Sequence, residues 1–134
     1  MIVVDVNTLA YLWIPGEMTS LAERALMLDP CWVSSTLWRS EFRNILAGYL
    51  RRGQISKNSA ERCINGAESQ MAGHDYLIPS ELVMRKVAVS KCSAYDCEYV
   101  ALAEDLNVTL VTTDKQILSE FPALTISLKV FAGH

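Results

Sequence analysis

Short β-branched runs alternate along this chain with longer segments whose apolar positions recur at helical spacing. Ile2-Val3-Val4 is the first such run, and it ends at Asp5; it reads as a buried strand with an acid at its carboxyl end. Asn7 or Thr8 is placed to cap the helix that follows, Leu9 to Trp13, which Pro15-Gly16 stops. Thr19 or Ser20 opens a second helix with apolar positions at Leu21, Ala22, Ala25, Leu26 and Leu28, closed by Asp29-Pro30. Cys31 to Ser34 predicts a second strand, and Ser34-Ser35-Thr36 supplies N-cap candidates for a long helix reaching about Arg51. The apolar stripe of that helix is Leu37, Trp38, Phe42, Ile45, Leu46 and Tyr49, and Gly53 breaks it.

The second half continues the pattern. Ser56 or Asn58 starts a helix towards Gln70, and Asp75 to Ile78 predicts a third strand ended by Pro79. Ser80 leads a helix that ends near Lys91. Tyr95 to Leu106 is a further helix, with Asn107 where a left-handed C-cap residue belongs. Val108 to Val111 is a strand running into Thr112-Thr113-Asp114, Lys115 to Glu120 a short helix, and Leu124 to Ser127 a final strand. Strands that alternate with helices in this way predict one α/β sandwich over residues 1–134 with a mainly parallel sheet.

Composition sharpens this only in places. With 134 residues and 51% hydrophobic content, one domain can bury a core without staples. No linker, repeat or low-complexity tract interrupts it. The N-terminus lacks a basic start and meets Asp5 early, and no run approaches the roughly 18 apolar residues of a membrane span, so a cytoplasmic protein is expected. The cysteines, Cys31, Cys63, Cys92 and Cys97, form no C-x-x-C pair, and neither His74 nor His134 stands at zinc-ligand spacing. Reduced, mostly buried thiols are expected. The net charge of −3 looks unfavourable for a nucleic-acid enzyme, but with four acids set aside as metal ligands the remaining charges nearly balance.

The chemistry lies in the placement of acids. Ligands of open parallel sheets bind beyond the carboxyl ends of the strands, and Asp5 and Asp114 both follow apolar strand runs directly. Glu41 borders the apolar stripe of the long helix, beside Leu37 and Ile45. Asp96 is in the first turn of its helix, on the side that continues to Val100 and Ala103. Acids brought to one edge repel unless a cation lies between them, and hard oxygen ligands suit Mg²⁺ or Mn²⁺. Singly, each has a plainer reading: Asp96 and Asp114 as helix caps, Asp5 as a turn acid, Glu41 as an ion-pair partner of Arg43 or another arginine.

Four segments carry a resemblance: Val3-Val4-Asp5-Val6-Asn7-Thr8-Leu9, Ser40-Glu41, Tyr95 to Glu104 (YDCEYVALAE), and Leu110-Val111-Thr112-Thr113-Asp114. In order and spacing they are similar to PIN-domain proteins, specifically to VapC-type toxin ribonucleases. The resemblance implies a PIN-like three-layer α/β/α sandwich with a sheet of four or five strands. It implies Asp5, Glu41, Asp96 and Asp114 as catalytic, metal-binding acids for Mg²⁺ or Mn²⁺, with Asn7 and Thr112 as polar supports. It also implies an RNA substrate, a cognate antitoxin of a type II pair and a homodimer. Thr113 stands where the family often has a small residue. Glu98, Glu104 and Asp105 match no ligand position and read as solvated helix surface.

Phosphodiester hydrolysis is the chemistry such a site implies. Arg51 and Arg52, with Lys57, are the candidates for holding a phosphate backbone, since Arg39 and Arg43 share a face turned largely away from Glu41. Trp13, Trp32 and Trp38 fall on apolar faces and read as core or interface rather than as base-stacking platforms. The alternative within the fold is a catalytically silent PIN scaffold that binds RNA or protein. A signalling receiver domain would need an acid pair after the first strand and an Asp after the third. A haloacid-dehalogenase-type phosphatase would need D-x-D, where Asn7 stands at the second position.

Overall fold

The computed structural model describes residues 1–133. Among the described residues, five strands form one all-parallel sheet: β1 (Ile2–Val4), β2 (Trp32–Ser35), β3 (Asp75–Tyr76), β4 (Leu110–Thr112) and β5 (Thr125–Ser127). Their order across the sheet is β3-β2-β1-β4-β5. Val3 is paired with Val33 on one side and Leu110 on the other. Eight helices among the described residues connect and cover them: α1 (Val6–Trp13), α2 (Thr19–Leu28), α3 (Trp38–Arg51), α4 (Lys57–Met71), α5 (Ser80–Ala88), α6 (Ala94–Leu106), α7 (Lys115–Glu120) and α8 (Leu128–Phe131).

The pleat of the strands divides the core in two. Ile2, Val4, Trp32 and Val111 point to one face, where they pack with Leu9 of α1, Trp38 and Phe42 of α3 and Met71 of α4. Val3, Val33 and Leu110 point to the other, against Val83 of α5, Val100 and Leu102 of α6 and Ile117 of α7. Neighbouring residues on one strand belong to different cores because side chains alternate with period two. The result is the three-layer, PIN-like α/β/α sandwich expected from the sequence, with five strands. Trp32 and Trp38 are core, as expected. Half-buried Trp13 donates its indole N–H to Gln70 Oε1 at 2.7 Å.

Some local expectations are corrected. The first helix starts at Val6, and its cap is Asp5 rather than Asn7 or Thr8: Asp5 keeps extended backbone angles while its carboxylate accepts from the Thr8 amide. The third strand is only two residues long, because β2 ends at Ser35, opposite Tyr76, and offers no further partner. Leu77, read as strand, is 87% exposed. Helix α5 ends at Ala88, before Lys91. An unforeseen helix, α8, follows β5, capped by the Ser127 hydroxyl accepting from Val130 N at 3.1 Å. The four cysteines are unpaired, three of them buried, and burial pushes the Cys92 thiol up to about 11. Among the described residues no helix is long and apolar enough to cross a membrane.

Candidate active site

Strand order reverses around β1, which lies between β2 and β4, so the carboxyl ends of β1 and β4 open onto a crevice. A cavity of about 420 Å³ occupies it, and Asp5, Glu41, Asp96 and Asp114 all line it. The structure therefore brings together the four acids singled out in the sequence.

Asp5 and Asp114 come from the strand ends, and both are also helix caps. Asp5 is 4% exposed. Its Oδ1 accepts from Thr8 N at 3.2 Å and Thr8 Oγ1 at 3.1 Å, and its Oδ2 accepts from Thr112 Oγ1 at 2.5 Å. Burial raises its carboxyl above the usual range; the hydrogen bonds from Thr112 and Thr8 pull it back in part, and the charge of Asp114 adds to the rise. Asp114 caps α7 through Oδ1, which accepts from Ile117 N at 2.9 Å. Its own amide donates to Thr112 Oγ1 at 3.0 Å. The plainer cap reading of Asp114 is thus correct locally, while Asp5, read singly as a turn acid, caps α1; both roles coexist with a shared cavity.

Glu41 and Asp96 are carried by helices from opposite layers of the sandwich, each in its helix's first turn. Glu41 is half-buried, and its Oε1 accepts the phenol of Tyr99 at 2.5 Å. Its expected arginine partners lie elsewhere: Arg39 pairs with Glu68 at 3.0 Å, and Arg43 lines a separate groove between α3 and α4. Burial raises the Glu41 carboxyl, the Tyr99 hydrogen bond offsets part of this, and Asp96 and Asp5 push it further up. Asp96 is raised by burial and by Asp114, with the Ser93 hydroxyl working against both.

Other predicted residues fall unevenly. Thr112 is buried and holds Asp5. Asn7 is exposed on the cavity wall, and the hydrogen bonds to Asp5 come from Thr8 instead. Arg51 and Arg52 lie at the far end of α3, about 15 Å along the helix from Glu41. Arg52 stacks over Tyr49 and donates to Gln54 Oε1 at 2.8 Å. Glu98, read as solvated, is partly buried, and its Oε1 accepts the Ser35 hydroxyl at 2.5 Å. Helix α6 packs against β2, which turns that side chain to the end of the strand.

Tyr99 was not anticipated. It is 1% exposed, and burial, then the hydrogen bond to Glu41 and the Glu41 charge, push its phenol well above the ordinary tyrosine value. It follows Asp96 by three positions, hence on the same face of α6, a spacing that was visible in the sequence.

An all-oxygen set of carboxylates has the chemistry of a hard divalent-cation site. Among the described residues, no three of these groups already form a ready ligand cluster. They ring the cavity, held by neutral hydroxyl and amide donors, and no cationic side chain is among its described lining residues.

No protein-family model matches the chain. Ribonuclease VapC3 of Pyrobaculum aerophilum is 29% identical over 126 residues, covering 92% of this chain and 96% of the relative. Among solved structures, PAE2754 from Pyrobaculum aerophilum superposes with a TM-score of 0.75 at 20% identity, over 97% of this chain and 92% of that one. A toxin-antitoxin complex from Klebsiella pneumoniae gives 0.65 at 19% identity, over 96% and 98% of the two chains. FitAcB from Neisseria gonorrhoeae gives 0.74 at 15%, also over 96% and 98%. In sequence over most of its length, and in fold, the chain resembles the VapC-type PIN-domain proteins.

Proposed function

We propose that this protein is a Mg²⁺- or Mn²⁺-dependent endoribonuclease and the toxin of a type II toxin-antitoxin pair. The observation that carries this is the cavity itself: four carboxylates line it with no described cationic side chain beside them. Negative charge concentrated at one strand edge calls for a cation. The similarity to Ribonuclease VapC3 and the fold shared with toxin-antitoxin proteins support RNA as substrate and an antitoxin as partner.

Asp5, Glu41, Asp96 and Asp114 would hold the ion. When bound, it supplies Lewis acidity towards the scissile phosphate and an acidified water. The chain's own residues do the rest. Thr8 and Thr112 fix the Asp5 carboxylate, Tyr99 fixes Glu41, and the Ile117 amide fixes Asp114. A carboxylate oxygen left free by these bonds is placed to accept the attacking water's proton. Arg51 and Arg52 would meet phosphates further along the strand. A cognate antitoxin would inhibit by placing an Arg or Lys side chain among the acids, since a guanidinium fits carboxylates in bidentate fashion. A cytoplasmic homodimer completes the proposal.

The test is cleavage of RNA by the purified chain with Mg²⁺ or Mn²⁺, with EDTA and with Asp96→Asn. Cleavage that needs the ion and Asp96 is expected. A folded wild-type chain that cuts no RNA with either ion, while binding RNA or a partner, would leave the silent scaffold as the reading.

A further inference from the structure

Tyr95 is 63% exposed, although an aromatic ring gains by burial, and it lines the same cavity as the four acids. It precedes Asp96 in the first turn of α6. Across the cavity, α3 contributes the exposed side chains of Ser40 and Asn44, and the start of α1 contributes Asn7. Leu37 and Ile45, both partly buried, give the wall an apolar portion. Among the described residues, the side chains of Asn7, Ser40, Asn44 and Tyr95 engage no hydrogen-bond partner.

On the ribonuclease reading the cation held among the acids meets the scissile phosphate, and the rest of the lining, which adds no cationic side chain, is left for another part of the nucleotide. A base has a π-face, which stacks on an aromatic ring, and polar edges, which neutral amides and hydroxyls can read. Stacking on the Tyr95 ring requires a base unstacked from its neighbours, which a duplex does not offer without extrusion.

Resting on the ribonuclease reading above, we propose that Tyr95 is a base-stacking platform that seats an unpaired nucleotide beside the scissile bond. Asn7, Ser40 and Asn44 face the edges of that nucleotide.

The experiment uses the full chain with Mg²⁺ and a fluorescein-labelled 2′-O-methyl phosphorothioate oligoribonucleotide, single-stranded or annealed to its complement. Fluorescence anisotropy gives Kd, and cleavage of the unmodified strand gives kcat and KM. Tyr95→Ala should weaken single-strand binding by about five- to a hundred-fold, the size of a lost base–aromatic stack. The loss should appear mainly in KM. Tyr95→Phe, which keeps the ring, should stay within about twofold of wild type. Thermal melts of both variants should match wild type, because the side chain is exposed. If wild type binds and cleaves single strands while Tyr95→Ala does so equally well, the platform is refuted and the ribonuclease reading stands. Equal affinity for the duplex also refutes it. A wild-type chain that neither binds nor cleaves RNA overturns the ribonuclease reading, and the platform with it.

Discussion

Thr112 joins to Asp5 across two neighbouring strands: the threonine hydroxyl donates to the buried Oδ2 at 2.5 Å while accepting the amide of Asp114 at 3.0 Å. One side chain thus sets the spacing of two acids that come from the ends of β1 and β4.

Replacing that hydroxyl by a methyl group tests the link. Thr112→Val keeps the shape but leaves a buried carboxylate oxygen and the Asp114 amide without their partner. Stability should fall by about 1–3 kcal/mol in urea unfolding, and Thr112→Ser should recover most of it. Cleavage should fall with Thr112→Val, because Asp5 and Asp114 lose their common anchor.

Tyr99 and Glu41 allow a cleaner separation of fold from site. Tyr99→Phe retains the buried ring and removes only the hydrogen bond to Glu41 Oε1. Partners of metal ligands commonly matter by about 10- to 100-fold in ion affinity. A loss of that order is expected in Mn²⁺ binding followed by calorimetry or electron paramagnetic resonance. An unchanged Mn²⁺ affinity would count against Glu41 as a ligand.

The acids should also write themselves into the pH dependence of stability. Asp5, Glu41 and Asp96 are all raised in the folded state, chiefly by burial and in part by neighbouring acids: Asp114 beside Asp5 and Asp96, and Asp96 and Asp5 beside Glu41. A raised carboxyl means that the folded chain holds more protons than the unfolded chain between the two pKa values. Stability from these groups is then full below the unfolded value of about 4 and declines as pH rises through the raised folded values. In EDTA, melting temperature should fall over that interval. Mg²⁺ or Mn²⁺ should restore it at neutral pH, and Asp96→Asn should flatten the decline.

The two capping acids should differ by substitution in an informative way. Asp114→Asn keeps an N-cap acceptor for Ile117 N, so the fold should hold while cleavage is lost. Asp114→Ala removes both, and should cost about 1 kcal/mol of stability as well. Equal stability of the two variants would show that the cap contributes nothing.

Behind the site, α1 is held against α4 by the close approach of Trp13 to Gly66. A Cβ at position 66 would stand 2.4 Å from the Trp13 ring. Gly66→Ala should destabilise by about 1–3 kcal/mol despite its better helix propensity, the usual cost of overpacking. A more stable Gly66→Ala protein would mean that Trp13 swings away freely.

The chain's local patterns determine a good deal by themselves. The β-branched runs, the helical stripes and the left-handed Asn107, at φ 55°, locate nearly every element, because these are one-dimensional signals of burial and backbone preference. Asp5 and Asp114 were legible because a parallel sheet puts the residues after its strands on one edge. What only the tertiary structure decides is partnership. Glu41 has arginines for sequence neighbours and a tyrosine 58 positions away for a partner. Glu98 looks like helix surface until α6 settles on β2 and brings Ser35 to it. β3 stops after two residues because β2 has no more edge to offer. Each of these depends on which segments pack side by side, and hydrogen bonds across a long sequence separation leave no periodic trace in the sequence.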